Sequence, residues 1–187
     1  PVTYIRLPSD YTVDQFILDV KRLTPGSDVT ESILSDVAER MSRLSHRQDL
    51  IQIGEALYGV NARQAVRLHV EPDNSLHLGL GEFPKGHSGN EVHNHGTWGV
   101  FCAYIGREAY TTWRRVDDGS TPGQAKLELL EHQILNPGDA TFMTDPPGDI
   151  HGHEPIGDSF WIMALFGKSV LNIDRHYFTP HWTVRDV

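Results

Sequence analysis

The segment "NEVHNHGTWGVF", residues 90 to 101, places two histidines one residue apart, just before a strand-like apolar run. Side chains at i and i+2 of a strand point to one face, so His93 and His95 can present two imidazole rings to one metal ion. A later segment, "DPPGDIHGHEP", places His151 directly after a Pro-Pro-Gly-Asp turn that can fix its position. These three histidines are the predicted metal ligands.

The hydrophobic pattern around these motifs changes once along the chain. Over residues 12–23 and 28–44, apolar residues recur at steps of three and four, which predicts two helices. After residue 58, short runs such as "AVRLHV", "LHLGLGEF" and "SFWIMALFG" are separated by turn residues, which predicts antiparallel strands. We therefore expect one domain over residues 1–187, with a mainly helical part (1–57) followed by a β-barrel (58–187).

The composition narrows the classes of partner. A formal net charge of -9 argues against nucleic-acid and anionic-membrane partners, because phosphate-binding surfaces need an excess of Lys and Arg. No apolar run reaches the roughly 18 residues of a membrane-spanning helix. The lone Cys102 excludes an intrachain disulfide, and the N-terminus does not resemble a signal peptide. We expect a cytoplasmic monomer or small homo-oligomer that acts on small molecules.

Together, the two histidine motifs resemble the signature of the cupins. In that signature a Gly-rich turn leads into H-x-H, and a P-x-G-x-x-H turn supplies the last ligand. Here the two parts read "GHSGNEVHNH", with Gly106 closing the hairpin, and "PPGDIH". The resemblance implies an all-β cupin fold, that is, a double-stranded β-helix or jelly-roll barrel, with N-terminal α-helices added.

One cupin ligand is missing from the motif. Ordinary cupins carry a glutamate four or five residues after the second histidine, where this chain has Gly99 and Val100. The pattern is therefore similar to the three-histidine branch, the thiol dioxygenases, over roughly residues 66 to 177. The similarity is greatest to bacterial 3-mercaptopropionate and cysteine dioxygenase-like proteins, whose H-D-H-T-x-W-G compares with "HNHGTWG" and whose P-G-D-I-H is matched outright.

This resemblance implies a reaction and a cofactor. It implies Fe(II) bound by His93, His95 and His151, and O2-dependent oxidation of a small, carboxylate-bearing thiol to a sulfinate. In the family an arginine grips the carboxylate, for which its planar fork is suited. Arg175, in "NIDRHYF", falls near the position used by the mercaptopropionate enzymes, and Arg67, in "AVRLHV", near that of the cysteine enzymes. Both arginines are candidates for substrate binding.

The chain departs from the family beside the metal. The family carries a Ser-x-His-x-Tyr relay on a late strand, but the matching "WIMALFG" has Ile162, Ala164 and Phe166. These side chains cannot donate hydrogen bonds, so we expect them to line a more apolar substrate pocket. Phe166 replaces the tyrosine that forms a thioether in the cysteine enzymes, and Cys102 is two residues out of register. We therefore expect no crosslink.

Other assignments stay open at this point. His153 shares strand parity with His151 and is the alternative third ligand or a neighbour of the metal site; Trp98 is expected to be a core aromatic beside the metal strand. The histidines at positions 46, 69, 77, 87, 132, 176 and 181 are expected at the surface or around the site. The alternatives to thiol oxidation are a three-histidine dioxygenase or metal hydrolase acting on a diketone-like molecule, and a non-enzymatic metal- or ligand-binding cupin. The metal could also be nickel, manganese or zinc.

Overall fold

The computed structural model describes residues 10–26, 28–59, 65–169, 175–179 and 183–186. Three helices come first: α1 (Val13–Leu23), α2 (Glu31–Leu44) and α3 (Leu50–Tyr58). Eleven strands follow in the described ranges: β1 (Ala65–Val70), β2 (His77–Pro84), β3 (Val92–His93), β4 (Gly99–Ile105), β5 (Glu108–Arg115), β6 (Leu127–Leu135), β7 (Ala140–Met143), β8 (Ile150–Pro155), β9 (Ser159–Phe166), β10 (His176–Thr179) and β11 (Thr183–Asp186).

The first two helices match the predicted ones. Each begins after a threonine whose hydroxyl accepts a backbone N–H of the first turn: Thr12 from Gln15 and Thr30 from Ile33. The third helix was not predicted, so the expectation of two helices was wrong. Gly54 lies in the middle of α3 and weakens its helical signal. It is there because a Cβ at this position would lie 2.8 Å from the Arg67 carbonyl oxygen, where α3 packs on β1.

The strands form two antiparallel sheets. A five-stranded sheet has the order β1-β2-β9-β4-β7, and a six-stranded sheet has the order β11-β10-β3-β8-β5-β6. The sheets face each other, since the Phe101 ring of β4 lies 4.7 Å from the His151 ring of β8 and 5.7 Å from the Tyr110 ring of β5. The predicted all-β architecture with N-terminal helices is confirmed, in the form of two antiparallel sheets that face each other.

Alternate residues of the five-stranded sheet face two different cores. On β9, Met163 and Leu165 join a cluster formed with the helices. Their neighbours Ile162 and Phe166 turn the other way and pack with Tyr110 of the six-stranded sheet. The helices therefore cover one face of this sheet and leave its other face for a site between the sheets. Within the described ranges, no helix has both the length and the apolarity to cross a membrane.

Candidate metal centre

The fold brings together the three histidines of the two motifs. His93 ends β3 and pairs directly with His151 of β8, whereas His95 lies just beyond the short strand. The Nε2 atom of His95 lies 2.9 Å from Nε2 of His93 and 2.9 Å from Nε2 of His151. All three side chains are buried, and one nitrogen from each lies within 4.8 Å of the others. This group could hold a metal ion.

Hydrogen bonding among the rings cannot explain both short contacts. An imidazole nitrogen carries either one N–H or one lone pair in the ring plane. Nδ1 of His93 lies 2.7 Å from the Glu91 carbonyl oxygen and must carry the hydrogen, so its Nε2 offers a lone pair. Nε2 of His95 cannot then donate to His93 and also accept from His151. A cation at the centre satisfies all three lone pairs at once.

The separations between the nitrogens also fit a metal. Metal–nitrogen distances of about 2.0–2.1 Å with an angle of about 90° at the metal give nitrogen separations of about 2.9 Å, whereas a tetrahedral angle gives about 3.3 Å. Both contacts of His95 have the shorter value. His95 and each of the other two histidines could therefore occupy adjacent positions of one octahedral ion, and three protein ligands would leave positions for reactants.

Contacts at Nδ1 hold two of the three histidine rings, those of His93 and His151. Nδ1 of His151 lies 3.1 Å from the Tyr110 hydroxyl, which is itself fully buried. Nδ1 of His95 is sealed from solvent and has no hydrogen-bond partner among the described residues. Contacts at Nδ1 of a ligand histidine direct its Nε2 lone pair to the metal.

Two aspartates tie the two motifs together, and the sequence analysis did not assign them a role. The Asp149 carboxylate accepts the backbone N–H groups of His95 (3.1 Å) and Gly96 (2.6 Å), while Asp145 accepts that of Trp98 (2.9 Å). Gly96 has φ +64°, which suits glycine and turns the chain after His95. The only hint of this role in the sequence is the aspartate of the Pro-Pro-Gly-Asp turn, and an aspartate is also common there simply as a turn residue.

Burial keeps the histidines neutral, which is the form that binds metals. It lowers the pKa of His93 to about 3 and takes those of His95 and His151 well below the ordinary value. Neighbouring histidines and the positive charge of Arg175 lower all three pKa values further. Burial also lowers the pKa of His77 to about 4, with help from the charges of Arg67 and Arg175.

The two candidate arginines lie on different sheets. Tyr177 of β10 pairs with His93, and its ring stacks on the His93 ring at 5.2 Å. Continuing this antiparallel register places Arg175 opposite His95 and on the same face of the sheet. Arg67 lies on β1 of the other sheet, opposite Gly79. Both arginines are partly exposed. Of the two, Arg175 is the one that strand register places opposite one of the three histidines.

The predicted apolar wall lies on the five-stranded sheet. The Phe166 ring is 4.5 Å from the His95 ring, and Ile162 and Phe166 are buried in the inner core with Ala164 packed against them. Cys102 is buried in the helix-side cluster, so it points away from Phe166 across the sheet. This direction gives a physical reason to expect no crosslink.

The remaining predictions concern Trp98, His153 and the other histidines. Trp98 is buried, but its ring packs in the helix-side cluster rather than between the sheets. His153 lies outside the three-histidine group, and its Nδ1 instead contacts Glu108. His77 is buried, His132 is exposed, and His46, His69, His87 and His176 are partly exposed. His181 lies outside the described residues.

Comparisons with known proteins find similar solved structures. No family model matches the sequence, and no curated protein matches it. Among solved structures the chain is similar to an oxalate oxidase (TM-score 0.42, 13% identity, 60% of this chain and 55% of that chain). It is also similar to a cupin 2 conserved barrel domain protein from Leptotrichia buccalis (TM-score 0.39, 16% identity, 55% of this chain and 39% of that chain). A DMSP lyase is similar over more of the chain (TM-score 0.42, 15% identity, 86% of this chain and 77% of that chain). The chain spans about half the length of the oxalate oxidase, and these likenesses carry no activity over to it.

The first prediction concerns metal stoichiometry. We expect one metal ion per chain, and replacing His93, His95 or His151 by alanine should abolish most binding, because three ligands leave no redundancy. Elemental analysis after loading and desalting measures the content. His153→Ala is the matched control from the same strand and should keep the metal. Full occupancy in His151→Ala with loss in His153→Ala would contradict the ligand set.

The second prediction concerns pH. The unfolded chain takes up protons near the ordinary histidine pKa of about 6.5, whereas the folded chain keeps His93 and His77 neutral down to a pKa of about 3 and about 4. The stability of the metal-free protein should therefore be complete above about pH 6.5 and fall as pH decreases, by up to about 1.4 kcal/mol per pH unit for each such histidine. Urea unfolding at about pH 7 and pH 5 measures the fall.

His77→Gln tests whether buried histidines cause this fall of stability with decreasing pH. It removes one of the buried titrating groups without touching the three-histidine group, so the fall between the two pH values should become smaller. Equal stability of the wild-type metal-free protein at both pH values would contradict the assignment of buried neutral histidines.

Proposed function

We propose that the protein is a metal-dependent enzyme that binds Fe(II) through His93, His95 and His151 and uses O2 to oxidise a small, carboxylate-bearing thiol to a sulfinate. The observation that carries the proposal is the pair of 2.9 Å contacts between Nε2 atoms, which suits adjacent positions of an octahedral ion. When bound, the iron supplies the redox chemistry and a place for both reactants.

The protein residues bind and orient the reactants in this proposal. Arg175, opposite His95 in register, supplies a permanent cation for the substrate carboxylate. Phe166 and Phe101 pack their rings against His95 and His151 at 4.5 and 4.7 Å and exclude water from one side of the histidine group. Exclusion of water on that side strengthens electrostatic interactions at the histidine group.

A second candidate rests on the same metal group. Ile162, Ala164 and Phe166 offer no hydrogen-bonding group where the thiol dioxygenases carry their relay. This wall favours a three-histidine dioxygenase or a metal hydrolase acting on a chelating, diketone-like molecule. A cupin that only binds a metal or a ligand would have the same group without turnover.

Oxygen uptake separates the two dioxygenases from each other and from the hydrolase and the non-enzymatic cupin. The Fe(II)-loaded protein is screened in an oxygen electrode against small thiols, with and without a carboxylate, and against diketones; the zinc-loaded protein is the control. We expect uptake with a carboxylate-bearing thiol and one sulfinate formed per O2 consumed, measured by mass spectrometry. Uptake with diketones alone would support the second candidate, and no uptake with any compound would contradict a dioxygenase.

The charge of the substrate is tested at Arg175. We expect Arg175→Ala to raise KM about ten- to a hundredfold with metal content unchanged, because a charge-assisted hydrogen bond contributes about 1.5–3 kcal/mol. Arg67→Ala is the matched control on the opposite sheet and should change KM much less. Loss of turnover in Arg67→Ala with none in Arg175→Ala would reverse the assignment, and no effect of either would favour a neutral substrate.

A further inference from the structure

A buried histidine–glutamate pair lies beside the three-histidine group and has no part in the function proposed above. Nδ1 of His153 is 2.5 Å from Oε2 of Glu108. The Glu108 side chain is fully buried, and 5% of the His153 side chain is exposed. The pair joins neighbouring strands β5 and β8 of the six-stranded sheet. The His153 ring lies 4.7 Å from the ring of His151 and 6.4 Å from that of His93.

The surroundings of this pair do not explain it as a support for the fold. The His153 ring is bordered by the rings of Phe83, Phe101 and Phe160 at 5.7–6.1 Å. Oε1 of Glu108 is sealed from solvent and has no partner among the described residues. A buried ionisable pair in such a place is often no more stable than two well-packed apolar side chains. Its retention in the core therefore calls for another role.

The contact with Glu108 fixes how His153 presents its second nitrogen. A carboxylate only accepts hydrogen bonds, so a carboxylate at Glu108 places the hydrogen on Nδ1 of His153, and Nε2 of a neutral ring then offers a lone pair. Within the described part of the chain, His153 forms its side-chain hydrogen bond through Nδ1, and its ring lies 4.7 Å from that of His151. Nε2 is therefore the nitrogen that can accept a hydrogen bond beside the metal group.

We propose that His153 contacts the reactant held at the three-histidine group, and that Glu108 is the positioning residue that keeps Nε2 of His153 as a hydrogen-bond acceptor. The proposal rests on the function proposed above, because it assumes that a reactant binds there. The reactant brings an O–H, N–H or S–H group to this side of the site. In the sheet, His153 lies two residues beyond His151 along β8, whereas Arg175 is in register with His95, on the opposite side of the His93–His151 pair. The substrate is therefore held by its anionic group on one side and by a hydrogen-bond donor on the other.

Glu108→Gln tests the positioning role directly. A glutamine amide can donate to Nδ1, which moves the ring hydrogen to Nε2 and converts the acceptor into a donor. Nitrogen-15 NMR of the metal-free, histidine-labelled protein distinguishes the two tautomers. We expect His153 to carry its hydrogen on Nδ1 in the wild type and increasingly on Nε2 in the variant. A hydrogen on Nε2 in the wild type, or no change in the variant, would overturn the proposal.

Turnover is measured on the Fe(II)-loaded protein with the best substrate of the oxygen-uptake screen. We expect Glu108→Gln to keep one metal per chain and to lower kcat/KM about tenfold, the equivalent of about one hydrogen bond. Glu71→Gln is the matched control, since Glu71 forms a second histidine–glutamate contact, to His69 at 2.7 Å, on the edge strand β1 and the loop that follows it. It should leave kcat/KM unchanged. Equal losses in both variants, or a loss in neither, would contradict a role for His153 at the reactant.

A double variant guards against misfolding of the glutamine variant. Glu108→Leu with His153→Phe replaces the pair by apolar side chains of similar size and should keep the fold and the metal while losing turnover. Wild-type-like turnover in this variant would overturn the proposal. Absence of oxygen uptake by the wild-type protein would instead refute the dioxygenase function, and the tautomer measurement would still decide whether Glu108 orients His153.

Discussion

Three imidazole nitrogens face one another at the centre of this protein, and hydrogen bonds among the rings cannot satisfy all of them. The contact of His93 with the Glu91 carbonyl fixes its tautomer, and at most one of the two 2.9 Å contacts of His95 can then be a hydrogen bond, whereas a cation between the rings satisfies all three nitrogens. Burial makes the conflict worse, because it also removes the water that could relieve it. The surrounding structure holds the rings in this arrangement, through Asp149 on one side and Tyr110 on another.

Holding the rings requires segments that are far apart in sequence. His95 and Asp149 are separated by 54 residues, yet the Asp149 carboxylate fixes the backbone at His95 and Gly96. The short strand β3 adds only the pair His93–His151, and β10 covers its other edge. Alternate residues of β9 then face opposite sides of the five-stranded sheet. Met163 and Leu165 pack against the helices, whereas Ile162 and Phe166 complete the wall of the site.

The sequence predicted the parts of this arrangement that depend on local patterns. Strand alternation and turn residues were enough to predict antiparallel strands, and the two histidine motifs predicted the three histidines that the fold brings together. The third helix was missed because Gly54 lowers its helix propensity, and the reason for a glycine there is the close approach of β1, which the sequence does not show. The role of Asp149 and the pair of Glu108 with His153 were missed because each contact depends on strand pairing over more than 40 residues, which no local pattern records.

The distribution of polar groups around the histidines is where the structure changes the expectation drawn from the sequence. The lack of a relay on β9 suggested a substrate pocket that is more apolar than in the thiol dioxygenases. The apolar wall is indeed on the five-stranded sheet, where Phe101 and Phe166 lie against the histidine rings. The opposite sheet, however, carries Tyr110 and the buried Glu108–His153 pair on the same face as His151. Hydrogen-bonding groups beside the candidate metal centre are thus not lost but lie on the sheet that also supplies the histidines. Because the ligands and these groups share one rigid sheet, their relative positions are set by strand register rather than by the packing between the two sheets.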